Sequence, residues 1–304
     1  MKIVADIGST NLRVAIGQNE IFEKILRKTP NDPAKFISEL CDAISYFIEK
    51  YGRVESIILS MAGVVDMGKG MLVSVPNLSN IRNLVIKEEI ERKFGIPTLI
   101  INDCNAAVVG EKEFGCANRC RNVIYVTIST GIGGGIISNN ELVLGKSGSA
   151  GEIGHMVIDA SSKLKCSCGG YGHWEAFCGG NSIPRFVKYY IELTKNGPRE
   201  LLSKDFDAKY FFKYAREKGG CSAIIEEICK YNSIGLANLA NIFDPEIIVL
   251  GGRIIMNNAD LLLEKIIENL EKYCLCKLPE VKLTKLGDDV GLYGCLAVLK
   301  YIKF

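Results

Sequence analysis

Both histidines of the 304-residue chain lie close together, on either side of a Cys-Ser-Cys triplet. His155, Cys166, Cys168 and His173 follow the spacing H-x10-C-x-C-x4-H, with three glycines among the intervening residues. Two imidazoles and two thiolates are the donor set that favours tetrahedral zinc. A loop with reduced cysteines and incidental histidines is the alternative interpretation. Because four protein ligands fill the coordination shell, zinc here is predicted to be structural, and not to activate water.

Two carboxylates flank this loop. Glu152 lies three residues before His155, and Glu175 lies two residues after His173. If one ring nitrogen of His155 binds zinc, the other is free to hydrogen-bond a ligand. Several acceptors held rigidly in this way suit a ligand that is rich in hydroxyl groups.

Asn102 and Asp103 follow the apolar run I-P-T-L-I-I and directly precede a helical segment. In open α/β sheets, ligands gather beyond the carboxyl ends of the strands. Asp103 therefore fits a general base that takes a proton from an attacking hydroxyl. It could equally be the N-cap of the following helix, and the residues alone leave both interpretations open.

Two glycine-containing turns join apolar strands in matching positions. Glycine lets the backbone approach a ligand, so that successive N–H groups converge on an anion, and neighbouring hydroxyls add donors. Neither turn has a P-loop or a dinucleotide fingerprint. A tight hairpin is the alternative for each turn alone, although the pair favours phosphate binding. The turns contain Gly8, Ser9, Thr10, Ser129, Thr130, Gly131, Gly133, Gly134 and Gly135.

Asp6 ends the first apolar run, beside the first turn. A carboxylate there would repel phosphate unless a divalent cation lay between them, so Asp6 is predicted to hold Mg²⁺ through water. The alternative is a strand-end aspartate that accepts bonds from turn amides.

The charge balance argues for a small-molecule partner. The chain has 37 basic and 35 acidic residues, a formal net charge of +2. This near-neutral charge gives no indication of binding to nucleic acid or to an anionic membrane surface. The N-terminus has no long apolar run, which predicts a cytoplasmic protein whose twelve cysteines are mostly reduced.

Strand-like and helix-like runs alternate along the chain, which predicts an α/β fold with mixed sheets. The predicted elements are a hairpin of Lys2–Ala5 and Leu12–Ile16, a helix from Ala34 to Tyr51, strands in V-E-S-I-I-L-S-M-A-G and I-P-T-L-I-I-N-D, a helix at C-N-A-A-V-V-G-E-K, a second hairpin from Asn122, a helix from Ile224 to Phe243, a strand at E-I-I-V-L, a helix from Asp260 to Tyr273, a strand near Val281 and a final helix.

The motifs and their order along the chain resemble those of the ROK family, which is named for repressor, open reading frame and kinase. D-I-G-S-T-N resembles its first phosphate motif, and N-D-C-N-A-A-V-V-G-E resembles its catalytic strand and helix. S-T-G-I-G-G-G-I-I resembles the second phosphate motif, and L-G-G-R the adenosine segment. G-E-I-G-H with C-S-C-G-G-Y-G-H-W-E resembles the zinc and sugar segment. The resemblance covers nearly the whole chain.

The resemblance implies a two-lobed actin-like ATPase fold, also called ribonuclease-H-like, with a cleft between the lobes. Residues 1–115 and 291–304 would form a small N-terminal lobe, and residues 116–290 a larger C-terminal lobe with the zinc loop. A homodimer is also implied.

The resemblance implies an ATP-dependent sugar kinase, with glucose preferred as substrate and N-acetylmannosamine or N-acetylglucosamine as the alternative. A sugar-responsive regulator without catalysis is the second alternative, although Asp6 stands too near the N-terminus for a preceding DNA-binding domain. Asp103 would be the base. Sugar would be bound by Gly63, Asn77, Asn102, Asp103, Glu152, His155 and Glu175, and ATP by Asp6, Gly8, Ser9, Thr10, Asn11, Thr130, Gly131, Gly133 and Gly252.

Two positions depart from the family pattern. Ser9 stands where the family usually has glycine, which narrows the freedom of the turn. His173 stands where cysteine is usual, and imidazole in place of thiolate makes a zinc site less negative by one charge.

Overall fold

The computed structural model describes residues 1–75, 78 and 80–302. Asn77, which the sequence places in the sugar site, lies outside these residues. Within them, no helix is both long enough and apolar enough to cross a membrane.

The strands are short and are spread along the whole chain. In chain order they are β1 (Lys2–Ile7), β2 (Asn11–Gly17), β3 (Ile21–Lys28), β4 (Ser56–Met61), β5 (Val64–Asp66), β6 (Met71–Ser74), β7 (Arg82–Val85), β8 (Thr98–Asn102), β9 (Val123–Ile128), β10 (Ile132–Ser138), β11 (Glu141–Leu142), β12 (Ile247–Gly251) and β13 (Glu280–Leu283).

The α-helices follow or separate these strands. In chain order they are α1 (Pro33–Tyr51), α2 (Lys87–Phe94), α3 (Asp103–Glu113), α4 (Trp174–Cys178), α5 (Ile183–Thr194), α6 (Ala208–Lys218), α7 (Ser222–Phe243), α8 (Arg253–Asn257), α9 (Ala259–Leu270) and α10 (Val290–Ala297). Short 3-10 turns lie at 153–155, 199–201, 287–289 and 298–300.

The first sheet has the strand order β3-β2-β1-β4-β8. β1 runs antiparallel to β2 and parallel to β4, and β4 runs parallel to β8, so the predicted mixed sheet is confirmed. Ile7 pairs with Met61, and Met61 pairs with Asn102. The carboxyl ends of three parallel strands therefore lie at one edge of this sheet.

Helix α1 is capped at both ends and packs against the first sheet. Asp32 caps it by accepting the Lys35 backbone N–H at 2.8 Å, and Gly52 ends it with a φ of 75°. Phe36 and Phe47 are fully buried in the hydrophobic core that contains the strands. Each such burial contributes about 1.5–3 kcal/mol to the free energy of unfolding.

The second sheet has the order β11-β10-β9-β12-β13, and a third, small sheet has the order β5-β6-β7. In the second sheet β10 is antiparallel to β11, and β12 is parallel to β13. The small sheet was not predicted, because its strands are only three or four residues long and lack a clear apolar alternation.

The chain divides into two compact units. The first contains residues 1–123, 135–151 and 284–304, and the second contains residues 124–134 and 152–283. In the first unit α3 packs closely on α10, since a Cβ added at Gly294 would lie 1.7 Å from the Ala106 carbonyl oxygen. In the second, Trp174 is fully buried and its indole N–H donates to Asn232 at 2.9 Å.

Candidate active site

The first glycine turn lies between β1 and β2 and is fixed by its own backbone. The Gly8 N–H donates to the Asn11 carbonyl at 2.9 Å. Thr29, just after β3, donates its hydroxyl to the Gly8 carbonyl at 2.7 Å and its N–H to the Thr10 carbonyl at 3.0 Å. Ser9 is not among the described residues with positive φ, so serine here causes no backbone strain.

Asp6 lies at the carboxyl end of β1, with 17% of its side chain exposed. Its carboxylate accepts hydrogen bonds from the Ser60 hydroxyl at 3.1 Å and from the Arg13 guanidinium at 3.2 Å. Burial raises the pKa of Asp6, while Arg13 and Ser60 act in the opposite direction. Its partners are therefore side chains of the sheet, and none of these bonds comes from a turn amide.

Asn102, and not Asp103, is the N-cap of α3. The Asn102 side-chain oxygen accepts the N–H groups of Cys104 at 2.9 Å and Asn105 at 3.3 Å. Its amide donates to the Gly63 carbonyl at 3.2 Å, where Gly63 has a φ of 102° that favours glycine. Asp103 is the first helical residue, is half-buried, and accepts the Cys104 N–H at 2.9 Å.

The second glycine turn lies between β9 and β10. The Ser129 N–H donates to the Gly131 carbonyl at 2.9 Å. The segment after α4 closes on the same turn, since the Asn181 N–H donates to the Thr130 carbonyl at 3.0 Å. Gly133 lies inside β10, beyond the turn.

Gly252 packs against the end of β9, close to this turn. It has a φ of 92°, and an added Cβ would lie 2.6 Å from the Ile128 carbonyl oxygen. Only glycine fits this close approach, so the backbone after β12 and the second turn are held together.

The four predicted zinc ligands converge. His155 Nδ1 lies 3.7 Å from Cys166 Sγ, and His173 Nδ1 lies 3.2 Å from Cys168 Sγ. All four donor atoms lie within 4.8 Å of one another. Zn–N and Zn–S bonds of about 2.0–2.3 Å in a tetrahedron put ligand atoms about 3.3–3.8 Å apart, which is close to these separations, so the donor set fits zinc.

The backbone of this loop is shaped for the cluster. The Cys166 N–H donates to the Gly170 carbonyl at 2.7 Å, and an added Cβ at Gly170 would lie 2.4 Å from the His173 ring. Burial raises the pKa of the Cys166 thiol. Because a thiolate is the zinc ligand, binding there would release a proton.

Glu152 and Glu175 hold different positions around the cluster. Glu152 is exposed, and its carboxylate lies 3.8 Å from His155 Nε2, the ring nitrogen that faces away from Cys166. Glu175 accepts the Ile132 N–H at 3.0 Å and the Ser167 hydroxyl at 2.6 Å. Glu175 therefore joins the zinc loop to the second glycine turn.

The structure thus brings the predicted residues together within each of the two units. In the first unit Asp6, Gly63, Asn102 and Asp103 lie at or just after the carboxyl ends of neighbouring parallel strands, with the turn of Gly8, Ser9, Thr10 and Asn11 after β1. In the second unit the groups are the zinc cluster with Glu152 and Glu175, and the turn of Thr130 and Gly131 with Gly252.

Sequence reasoning missed three residues that hold these groups in place: Arg13, Thr29 and Ser167. Arg13 pairs with Asp6 across the β1–β2 hairpin, and Thr29 reaches Gly8 from beyond β3, so these roles depend on strand pairing and no local motif marks them. Ser167 had a signal, because it lies between two predicted zinc ligands.

Residues 2–301 match the profile of the ROK family. A glucokinase from Pyrobaculum calidifontis is 36% identical over 247 residues, which cover 80% of this chain and 78% of that protein. A glucokinase from Streptomyces coelicolor is 31% identical over 314 residues, covering 97% and 96%. A putative xylose repressor from Caldicellulosiruptor is also 31% identical, over 96% of this chain and 72% of that protein.

Solved structures show the same similarity. A ROK hexokinase from Thermus thermophilus superposes with a TM-score of 0.85 at 26% identity, covering 98% of each chain. A ROK family glucokinase from Streptomyces griseus, solved with glucose and AMPPNP, gives 0.77 at 29% identity over 98% of each chain. The predicted α/β fold of the two-lobed actin-like kind is confirmed.

Proposed function

The chain belongs to the ROK family, and from that premise we propose that it is an ATP-dependent glucokinase. It transfers the γ-phosphoryl group of ATP to the 6-hydroxyl of glucose. The observation that carries the proposal is the position of Asp103, a half-buried carboxylate directly after β8 and next to Asn102, the N-cap of α3.

In the proposed mechanism, Asp103 accepts the proton of the 6-hydroxyl as that oxygen attacks the γ-phosphorus. The bond from the γ-phosphorus to its bridging oxygen breaks, and ADP leaves. Asn102 serves this step by position: its bonds to Gly63 and to the first turn of α3 fix the backbone from which Asp103 projects. Gly63, Asn77, Asn102, Glu152, His155 and Glu175 are proposed to bind the sugar hydroxyls.

The two glycine turns are proposed to bind the ATP phosphates through Gly8, Ser9, Thr10, Asn11, Thr130, Gly131 and Gly133. The Thr29 bonds keep the first turn rigid, so its donors need no reorganisation as charge develops. Gly252 is proposed to lie beside the nucleoside. Asp6 would hold Mg²⁺ through water, and the ion would neutralise charge on the phosphates.

Zinc is proposed as a structural ion bound by His155, Cys166, Cys168 and His173. The geometry of the donors supports this proposal. A filled shell of four protein ligands leaves zinc no position for water or substrate, so its role is to hold the loop. Glu152 and Glu175 are then presented by a rigid segment.

The test of the catalytic assignment is Asp103→Asn. The amide keeps the size of the side chain but cannot accept the proton, so turnover falls by at least about 100-fold while glucose affinity stays within about twofold. A coupled ADP-release assay and calorimetry with glucose measure the two quantities. Near-normal turnover in Asp103→Asn would refute the role of Asp103.

The identity of the sugar is tested separately. Glucose and the N-acetylhexosamines differ at C2, and such differences are worth about 1–3 kcal/mol each in a binding pocket. The proposal expects the highest kcat/KM with glucose in a panel that includes N-acetylmannosamine and N-acetylglucosamine. A higher kcat/KM with either amino sugar would make the chain an N-acetylhexosamine kinase.

A second candidate is a sugar-responsive regulator, which the similarity to a putative xylose repressor favours. Such a protein needs sugar binding but no proton acceptor for phosphoryl transfer. A shift of specific DNA fragments at physiological salt, together with absent turnover, would favour it over the kinase.

The proposal also includes the cytoplasmic location predicted from the N-terminal sequence and the homodimer implied by the family resemblance. Light scattering at assay concentration tests the dimer, which would have twice the 33.4 kDa mass of one chain.

A further inference from the structure

Glu175 is held from two sides within the second unit. Its Oε2 accepts the backbone N–H of Ile132, at the second glycine turn, at 3.0 Å. Its Oε1 accepts the hydroxyl of Ser167, which lies between two zinc ligands in the sequence, at 2.6 Å. One anchor alone would let the carboxylate pivot, whereas two anchors on different oxygens fix its plane.

The Ser167 hydroxyl lies closer to Glu175 Oε1 than the neighbouring thiol does. Cys166 Sγ is 3.7 Å from the same oxygen, and sulfur is a weak hydrogen-bond donor. The Ser167 bond, at 2.6 Å, is therefore the stronger contact from the zinc loop to Oε1.

We propose that Ser167 is a positioning residue that sets the sugar affinity of the enzyme by fixing Glu175. The inference rests on the proposed function, in which Glu175 binds a sugar hydroxyl. Each carboxylate oxygen has two lone pairs, so Oε1 accepts a sugar hydroxyl while it keeps the Ser167 bond. A bound zinc would support this contact, because it would fix the two cysteines that flank Ser167.

The 2.6 Å distance is that of a strong, charge-assisted O–H···O⁻ bond. Ser167 is exposed, however, so when its hydroxyl is removed a water molecule can donate to Glu175 Oε1 and offset part of the lost bond. We therefore expect a moderate effect on sugar binding, and little effect on the chemical step that is assigned to Asp103.

The experiment compares Ser167→Ala with Ser167→Thr in the zinc-loaded protein. Calorimetry with glucose alone should show about fivefold weaker binding for Ser167→Ala, the loss expected for one such bond. Ser167→Thr keeps the hydroxyl and should bind within about twofold of the unsubstituted protein. KM for glucose should rise in parallel in Ser167→Ala, with kcat changed by less than about twofold.

Ser161→Ala is the matched control. Ser161 is also an exposed loop serine, and its hydroxyl donates to a carboxylate, that of Asp159, at 2.6 Å. Since Asp159 is not among the proposed sugar-binding residues, Ser161→Ala should leave glucose affinity unchanged. A fivefold loss in this control as well would show a general effect on the loop and overturn the assignment.

A double-mutant cycle with Glu175→Ala tests the path of the effect. If Ser167 acts through Glu175, adding Ser167→Ala to Glu175→Ala should weaken glucose binding no further. Unchanged affinity in Ser167→Ala, an additive loss in the double mutant, or zinc content below that of the unsubstituted protein would each overturn the proposal. These outcomes leave the proposed function intact, because that function is tested on the unsubstituted protein, by its turnover with glucose and with the amino sugars.

Discussion

Replacing Gly294 by alanine tests how closely α10 must pack on the helix that begins at Asp103. The added Cβ would lie 1.7 Å from the Ala106 carbonyl oxygen in α3, where contacts of 3.4 Å or more are ordinary. In an exposed helix, alanine in place of glycine stabilises by about 1 kcal/mol. Here the clash is with helix backbone, so the helices must separate, and such overpacking costs about 3 kcal/mol. The clash should outweigh the propensity, which leaves Gly294→Ala less stable by about 2 kcal/mol.

Urea unfolding followed by circular dichroism measures this change, and turnover with glucose reports whether α3 has moved Asp103. Gly68→Ala is the control, because its Cβ would lie 3.5 Å from the nearest atom and should change the free energy of unfolding by less than about 0.5 kcal/mol. If Gly294→Ala proves as stable as the unsubstituted protein or more stable, the close packing of α3 on α10 is not as described.

Two further predictions concern zinc and pH. Chelating zinc should lower the melting temperature and weaken glucose binding, because the loop would lose its four-ligand anchor. Added zinc should restore both properties. Unchanged glucose affinity in calorimetry would contradict this prediction. Bonds from Lys50, Tyr51 and Tyr46 lower the pKa of Glu23 to about 2 from its ordinary 4.5. Its stabilising effect is therefore complete above pH 4.5 and is lost as the pH falls towards about 2. The melting temperature of Glu23→Gln should accordingly be lower than that of the unsubstituted protein at pH 6, and the two should converge at low pH. A difference that stays constant with pH would argue against a stabilising role of the ionised Glu23.

The sequence identified elements whose signals are local. The hairpin of β1 and β2, helix α1 and the zinc cluster were all predicted, because strand runs, a helical period and ligand spacing are read from neighbouring residues. Strand β3 was missed. Its residues alternate between half-buried and exposed positions, but Phe22 and Leu26 are on the exposed side, so the apolar pattern does not show the alternation.

The site was predicted less completely than the fold, because side-chain roles depend on partners distant in sequence. The choice between Asn102 and Asp103 as the helix cap illustrates this: both residues are good caps, and the Gly63 carbonyl, 39 positions away, holds the Asn102 side chain. With Asn102 as the cap, Asp103 is not required to begin the helix. The same arrangement explains the proposed division of roles: Asn102 holds the start of α3 in place, and Asp103 accepts the proton. An Asn102→Ala change should therefore destabilise α3 by about 1 kcal/mol, whereas Asp103→Asn should remove turnover without that loss.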